Sequence, residues 1–186
     1  MPRIHVLGAP GSGTTTLAAT LAAVTGWPHH DADAALWEAT DPPFTRLRPV
    51  PARQALLRSW LEGSRHWILS GSALGWGEPF EPLVELVIYL HLDPATRMLR
   101  LRRREALRHG PRIAPGGDMR GRHLEFMDWA EAYDTARAEQ RSAWLHSAWL
   151  ADRSCPVLRL DSGAHAPETL ARAALAHLGQ CARTAN

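Results

Sequence analysis

The 186-residue sequence predicts an α/β fold, a parallel sheet with helices on both faces. Two observations lead to it. Short apolar runs alternate with longer stretches of helical periodicity, and glycine or proline clusters separate them. The first apolar run, moreover, leads through a glycine-rich turn straight into a helix. The length suits one domain, residues 1–186, and no internal repeat or low-complexity segment breaks the pattern.

In chain order, RIHVLG (3–8) is a run of aliphatic and β-branched residues that reads as a buried strand. In the TTTLAATLAAVTG that follows, Leu17, Leu21 and Val24 recur at helical spacing, and Gly26 sits at the position that closes a helix. WPHHD returns the chain briefly toward Asp31 and Asp33. Residues 39–51 hold four prolines and read as an irregular excursion before a helix over ARQALLRSWLEG (52–63), ended by Gly63. A further buried strand spans 66–70, and LVELVIYLHL (83–92) is the strongest strand of all. Asp93 and Pro94 supply an N-cap and a first-turn proline to the next helix, over 95–108. HGPRIAPGGD, with two prolines and three glycines, breaks that helix. Helices over about 119–135 and 136–151, a strand over 155–160 and a last helix over 166–178, ended by Gly179, complete the order.

Composition narrows the function classes. Cys155 and Cys181 lack the spacing of a zinc site or a disulfide framework and read as core or incidental thiols. The opening MPRIHVLGAP has one arginine and too short an apolar run for a signal peptide or membrane anchor, so a cytoplasmic location is expected. All 21 residues of the Lys+Arg total are arginine, yet the formal net charge is only +2. That balance argues for a local anion site and against a long surface tracking nucleic acid.

The glycine turn carries the chemistry. Gly8-Ala9-Pro10-Gly11-Ser12-Gly13-Thr14-Thr15-Thr16 matches the phosphate-binding pattern G-x-x-x-x-G-K-[ST] except that Thr14 stands where lysine belongs. A glycine-rich turn into a helix N-terminus aims backbone N–H groups and the positive end of the helix dipole at one point, where phosphate is the natural occupant. Thr15 offers its hydroxyl to Mg²⁺. A general exchange of lysine for arginine does not account for a neutral threonine at position 14. The mobile ammonium that neutralises the β- and γ-phosphates is missing, so affinity and transfer rate should both suffer unless another cation takes its place.

Between Arg97 and Arg122 the sequence has nine arginines against two acids, a formal excess of seven. Arg97, Arg100, Arg104 and Arg108 fall on one helix face, and HGPRIAPGGDMRGR has the punctuation of a hinged lid bearing Arg112, Arg120 and Arg122. Guanidinium groups suit phosphate through paired hydrogen bonds. The same arginines also fit a solvated face or pairing with acids elsewhere.

GAPGSGTTTLA, DPPFTRLRP, ILSGSALGWG and RHGPRIAPGGDM together resemble the small P-loop kinases that include adenylate, shikimate and gluconate kinases. They look closest to bacterial adenylate-kinase-related ATPases in which threonine commonly occupies the lysine position. The resemblance implies a five-stranded parallel sheet, an acceptor region like an NMP-binding segment over about 31–63, and an arginine-bearing lid over about 105–122. It implies that Asp31 helps hold Mg²⁺ and that Asp33 orients or deprotonates an acceptor hydroxyl, although either could be an Asx cap and Asp33 could cap the helix after it. It places Ser70 where adenylate kinases usually carry an aspartate, Gly71 and Ser72 near the acceptor, and Asp161 to His165 beside the adenine. Arg53, and Arg48 just before its helix, are candidate anion clamps. Trp37 and Trp76 are candidates to stack on the acceptor, while Trp60, Trp67 and Trp144 read as packing. His29 and His30 alternate along a strand and make a poor metal pair.

The expected function is therefore ATP–Mg²⁺-dependent phosphorylation of a small cytosolic metabolite or nucleoside monophosphate. The Gly8–Thr15 loop binds ATP, Thr15 and Asp31 the metal, Asp33 and Arg53 the acceptor, and Arg104, Arg108 and Arg112 the transferring charge. The alternative, supported by Thr14 and Ser70, is a nucleotide-binding protein with little or no turnover.

Overall fold

A computed structural model describes residues 2–184, with side chains through Gln180. The apolar runs become five strands: β1 (Arg3–Gly8), β2 (His29–Asp31), β3 (Trp67–Ser70), β4 (Leu86–His91) and β5 (Val157–Asp161). All neighbours pair parallel, in the order β2-β3-β1-β4-β5. In β1, Ile4 lies opposite Ile68 on one side and Leu86 on the other. A parallel strand in this central position is buried on both faces, so β4 is apolar up to its final His91 and β1 departs from an apolar run only at Arg3 and His5.

The two faces have separate cores. On one, Ile4, Val6, Ile68, Leu86 and Ile88 pack with Leu17, Ala18 and Leu21 of helix α1 (Thr14–Thr25) and with Leu170, Ala171 and Ala174 of α7 (Pro167–Thr184). On the other, Trp67 and Leu69 pack with Ala32 and Ala35 of α2 (Ala32–Leu36), Leu57 and Leu61 of α3 (Val50–Leu61), and the loop residues Ala73, Trp76 and Phe80. Side chains along β3 thus divide with the strand period of two.

The chain forms two compact units. The first contains the sheet with α1, α2, α3 and α7. The second comprises Leu92–Asp152 together with Ala9–Ser12. In it α4 (Pro94–His109) packs on α5 (Arg120–Glu131) through Met98, Leu101, Met127 and Ala130, and α6 (Ala143–Ala151) follows. Among the described residues, no helix is long and apolar enough to cross a membrane.

Local signals set most boundaries. Gly26 closes α1 in the left-handed conformation at φ 73°, and the Asp93 carboxylate caps α4 by accepting from Thr96 N at 2.9 Å. Other boundaries move. α3 begins at Val50 because Pro49 precedes it and Pro51 is tolerated in its first turn, so it starts before position 52. β4 begins only at Leu86 because a 3₁₀ turn occupies Glu78–Leu83. The helix expected over 136–151 starts at Ala143: Ser142 Oγ donates to Arg137 O at 2.6 Å and accepts from Leu145 N at 3.2 Å, which makes it a cap. α7 runs past Gly179 to Thr184, since one glycine weakens a helix without stopping it.

The tryptophan expectations divide. Trp67 is fully buried and Trp60 stacks on His30 at 5.1 Å, but Trp144 is 47% exposed on α6 and packs little. Cys155 is half-buried, with burial raising its thiol pKa, while the side chain of Cys181 lies outside the described residues.

Helix α1 offers an internally controlled stability test. Leu21 is fully buried in the sheet core, whereas Val24 is 63% exposed despite sharing its helical stripe. Leu21→Ala is expected to cost about 2–5 kcal/mol by urea denaturation, and Val24→Ala less than about 0.5 kcal/mol. Equal costs would contradict this burial pattern.

Candidate active site

The sequence GAPGSG turns sharply between β1 and α1. Gly11 and Gly13 have φ of 85° and 97°, the left-handed region that favours glycine, and Ser12 N donates to Ala9 O at 3.0 Å. A Cβ on Gly11 would lie 2.7 Å from Leu101 Cγ and 3.1 Å from Arg97 O, so space as well as conformation requires glycine. Gly13 is the N-cap of α1, and no described side chain caps that end. The first turn of α1 therefore presents its N–H groups and the positive end of its dipole without an internal acceptor.

The carboxyl end of β2 brings an acid to that turn. Thr15 Oγ1 donates to Asp31 Oδ2 at 3.1 Å, and Asp31 Oδ1 accepts from Asp33 N at 3.0 Å. Asp31, not Asp33, is thus the cap of α2, because its extended backbone lets the side chain reach back to the first turn. Asp33 lies in the exposed first turn of α2. Gly71 closes the group: its φ is 88°, and a Cβ there would approach Asp31 Oδ1 to 3.4 Å. Among the described residues, no group of three or more His, Cys, Asp or Glu gathers as a metal cage. Thr15 and Asp31 are instead a pair of hard oxygen donors beside an anion-attracting helix end.

Histidines support this edge of the sheet. His5 Nε2 donates to Gly71 O at 2.7 Å, and Gly71 N donates to Val6 O at 3.0 Å, so the turn after β3 is tied to β1 at two points. Ser70, opposite Asp31 in the register, is fully buried and bonds through Oγ to His29 Nε2 at 2.9 Å. Burial lowers the pKa of both His5 and His29. Ser72 is buried next to this turn.

Over residues 31–63 the arginines differ. Arg48 donates from Nε to Ala35 O at 3.0 Å and from Nη2 to Trp37 O at 3.1 Å, which stitches the 37–49 excursion to α2. That backbone role accounts for its guanidinium better than an anion clamp does. Arg53, on α3, bonds through Nε to Arg48 O. Trp37 meets Phe44 edge-on at 6.0 Å, whereas Trp76 is only 4% exposed and belongs to the core, not to a stacking surface. At the end of β5, Asp161 Oδ1 accepts from Gly163 N at 2.7 Å, forming a local turn.

The second unit contains the arginine-rich stretch. Arg97 shares a helical stripe with Arg100, Arg104 and Arg108 but is 0% exposed, because the end of α5 and the following 3₁₀ turn, Ala132–Asp134, cover it. It is therefore a core residue and no member of an exposed anionic-ligand face. Arg104 bonds to Glu105 Oε1 at 3.0 and 3.2 Å and lies over Phe126. Arg108 is exposed on the last turn of α4. Arg112 grips Asp118 with two nitrogens, Nε to Oδ1 at 3.0 Å and Nη2 to Oδ2 at 2.6 Å, which lowers the pKa of that carboxyl. Arg120 bonds to Ile113 O. The stretch expected to be a hinged lid is a hydrogen-bonded turn, closed by Met119 N to Arg112 O at 2.9 Å.

Sequence reasoning missed His5 and the partners of Arg97. A histidine inside a buried apolar strand was a readable signal for the first. Asp134 lies 37 positions beyond Arg97, and nothing local announces that pair.

His5 gives the fold a pH dependence of definite sign. Burial depresses its folded pKa below the ordinary 6.5, so between those values the unfolded chain binds more protons. Stability is complete above the unfolded pKa and falls as pH drops through it. The Tm is expected to decrease from about pH 7.5 to about pH 5.5, and His5→Asn to flatten that decrease. A Tm slope unchanged by the substitution would remove His5 as the cause.

No protein-family model matches the chain. Among solved structures it resembles the shikimate kinase from Acinetobacter baumannii in complex with shikimate, with a TM-score of 0.57 and 15% identity over 97% of this chain and 94% of that one. It also resembles a gluconokinase from Sinorhizobium meliloti 1021, with a TM-score of 0.52 and 18% identity over 98% of this chain and 94% of that one. At such identities the likeness is one of fold, that of the small P-loop kinases. The uncharacterized protein YqaC of Bacillus subtilis (strain 168) is 39% identical over 169 residues, 91% of this chain and 93% of that protein. With that identity over nearly the full length of both, this chain belongs to the YqaC family.

Proposed function

We propose that this protein is an ATP-dependent phosphotransferase, akin to adenylate-kinase-related ATPases, acting on a small cytosolic metabolite or nucleoside monophosphate. The observation that carries the proposal is the Thr15–Asp31 hydrogen bond at the uncapped N-terminus of α1. Exposed amides and a helix dipole suit the phosphates, and the hydroxyl–carboxylate pair suits Mg²⁺, which takes one or two protein oxygens and completes its shell with phosphate and water. Mg²⁺ held by Thr15 and Asp31 would neutralise charge on the β- and γ-phosphates.

Residues 31–63 form the acceptor region in this reading. Arg53, Gly71 and Ser72 position the acceptor, and Asp33 takes the proton from its hydroxyl. That oxygen bonds to the γ-phosphorus as the bond to the β-phosphate oxygen breaks and ADP leaves. Thr14 contributes no charge, so in this reading Arg104 and Arg108 of α4 and Arg112 of the turn after it, in and beside the lid stretch at about 105–122, stabilise the transferring group. Asp118 keeps the Arg112 guanidinium oriented until phosphate competes for it.

A second reading, nucleotide binding with little turnover, is favoured by one observation. At the end of β3 the buried Ser70 hydroxyl is bonded to His29, so this position supplies no carboxylate to a metal.

Calorimetric titration with ATP, with and without Mg²⁺, tests the common part of both readings. Micromolar binding strengthened by Mg²⁺ is expected, and Asp31→Asn should weaken the Mg²⁺-dependent part by about tenfold, roughly 1.4 kcal/mol. No binding at millimolar ATP, with or without acceptors, would sink both. ADP release that depends on an added acceptor separates transfer from mere binding.

The missing lysine generates two further expectations. Thr14→Lys should fold and bind ATP at least as tightly as the parent, and loss of binding would mean that position 14 has a role lysine obstructs. Arg112→Ala should lower ATP affinity or turnover by more than about tenfold, the scale of a lost charge-assisted pair. Unchanged constants would take Arg112 out of the site.

A further inference from the structure

Arg97 is the charged side chain most deeply enclosed in the second unit, and phosphate chemistry makes no use of it. Its guanidinium binds three acceptors on two separate stretches of chain. Nη1 donates to Ala130 O at 2.8 Å near the end of α5 and to Pro10 O at 3.3 Å in the glycine turn. Nη2 donates to Asp134 Oδ2 at 2.6 Å. Tyr133 lies beneath the group, with its ring centroid 5.4 Å from Arg97 Cζ, and its hydroxyl bonds to His146 Nδ1 at 2.7 Å. A guanidinium held away from water is costly unless its charge is paired. Here Asp134 pairs the charge and two carbonyls accept from Nη1, while the buried Nε has no hydrogen-bond partner among the described residues.

The contact with Pro10 has a geometric consequence. Pro10 C=O and Gly11 N–H belong to one planar peptide unit and point in opposite directions. A hydrogen bond that fixes the carbonyl toward Arg97 therefore aims the Gly11 N–H away from it. The same turn is confined from a second direction, since Gly11 has no room for a Cβ against Leu101 and the Arg97 carbonyl. The middle of the loop rests on the backbone of α4 and is oriented by its buried arginine. Lysine could retain the charge but has no planar fork to reach three acceptors.

We propose that Arg97, held by Asp134, is a positioning residue that sets the direction of the Gly11 amide in the phosphate loop. The inference rests on the reading of that loop as a phosphate site. Through it, the segment joining α5 to α6 is coupled to ATP affinity without touching ATP.

The test uses the full chain with Arg97→Lys and, because a buried replacement can fail to fold, Asp134→Asn, which leaves the arginine in place. Circular dichroism and exchange protection of β4 establish that each variant is folded. Hydrogen exchange of Gly11–Gly13 and calorimetric ATP affinity are then compared with the parent. Folded variants should exchange these amides at least tenfold faster, with β4 unchanged, and bind ATP about tenfold more weakly. Parental loop exchange in a folded Asp134→Asn protein overturns the proposal, as does faster exchange with unchanged ATP affinity. If the parent itself binds no ATP, the phosphate-site reading fails, while faster exchange in the variants still supports Arg97 as the group orienting the turn.

Discussion

A strand buried on both faces has no place for polar chemistry except beyond its ends, and β1 imposes that constraint on the first unit. Ile4, Val6 and Leu7 are fully buried between two parallel neighbours. The candidate site lies at the carboxyl edge, where β1 ends in Gly8, β2 in Asp31 and β3 in Ser70. His5 is the buried polar residue of the strand. It ties that edge together, because its bond to Gly71 O fixes the turn that closes against Asp31.

Arginine does structural work here that its frequency hides. In a chain without lysine, planar multi-donor side chains can bind backbone carbonyls on different segments at once. Arg48 joins the 37–49 excursion to α2 in this way, and Arg97 joins α4, α5 and the glycine turn. Arg153 pairs with Glu81 in the first unit. The basic stretch is therefore not one uniform anion surface. It contains a buried node, a bidentate pair at Arg112–Asp118 and exposed groups such as Arg108.

Much of the fold was legible because its signals are local. The periodicities of β1, α1 and β4, the glycine at 26 and the Asp93 cap each act within a few residues. Boundaries moved where two local rules competed. Ser142 caps α6 and so interrupts a stretch that pattern alone reads as helix, and α7 continues through Gly179. At the candidate site, the glycine turn was visible from spacing, while the pair Asp31 and Asp33 was singled out through the resemblance to small P-loop kinases. Which of the two would cap α2 and reach Thr15 depended on the extended backbone of Asp31.

By itself the sequence determined the order of strands and helices, the phosphate-type turn, the absence of lysine and the residues available at the carboxyl edge. Hydrophobic period and glycine conformation act over one element and can be read along the chain. Only the tertiary structure decided that Arg97 is buried while Arg104 and Arg108 are exposed, that Trp76 is core and that His5 binds Gly71. The reason is physical: a side chain's solvation and partners depend on which distant segments pack over it. Arg97 and Asp134 lie 37 positions apart, and only folding brings them within 2.6 Å.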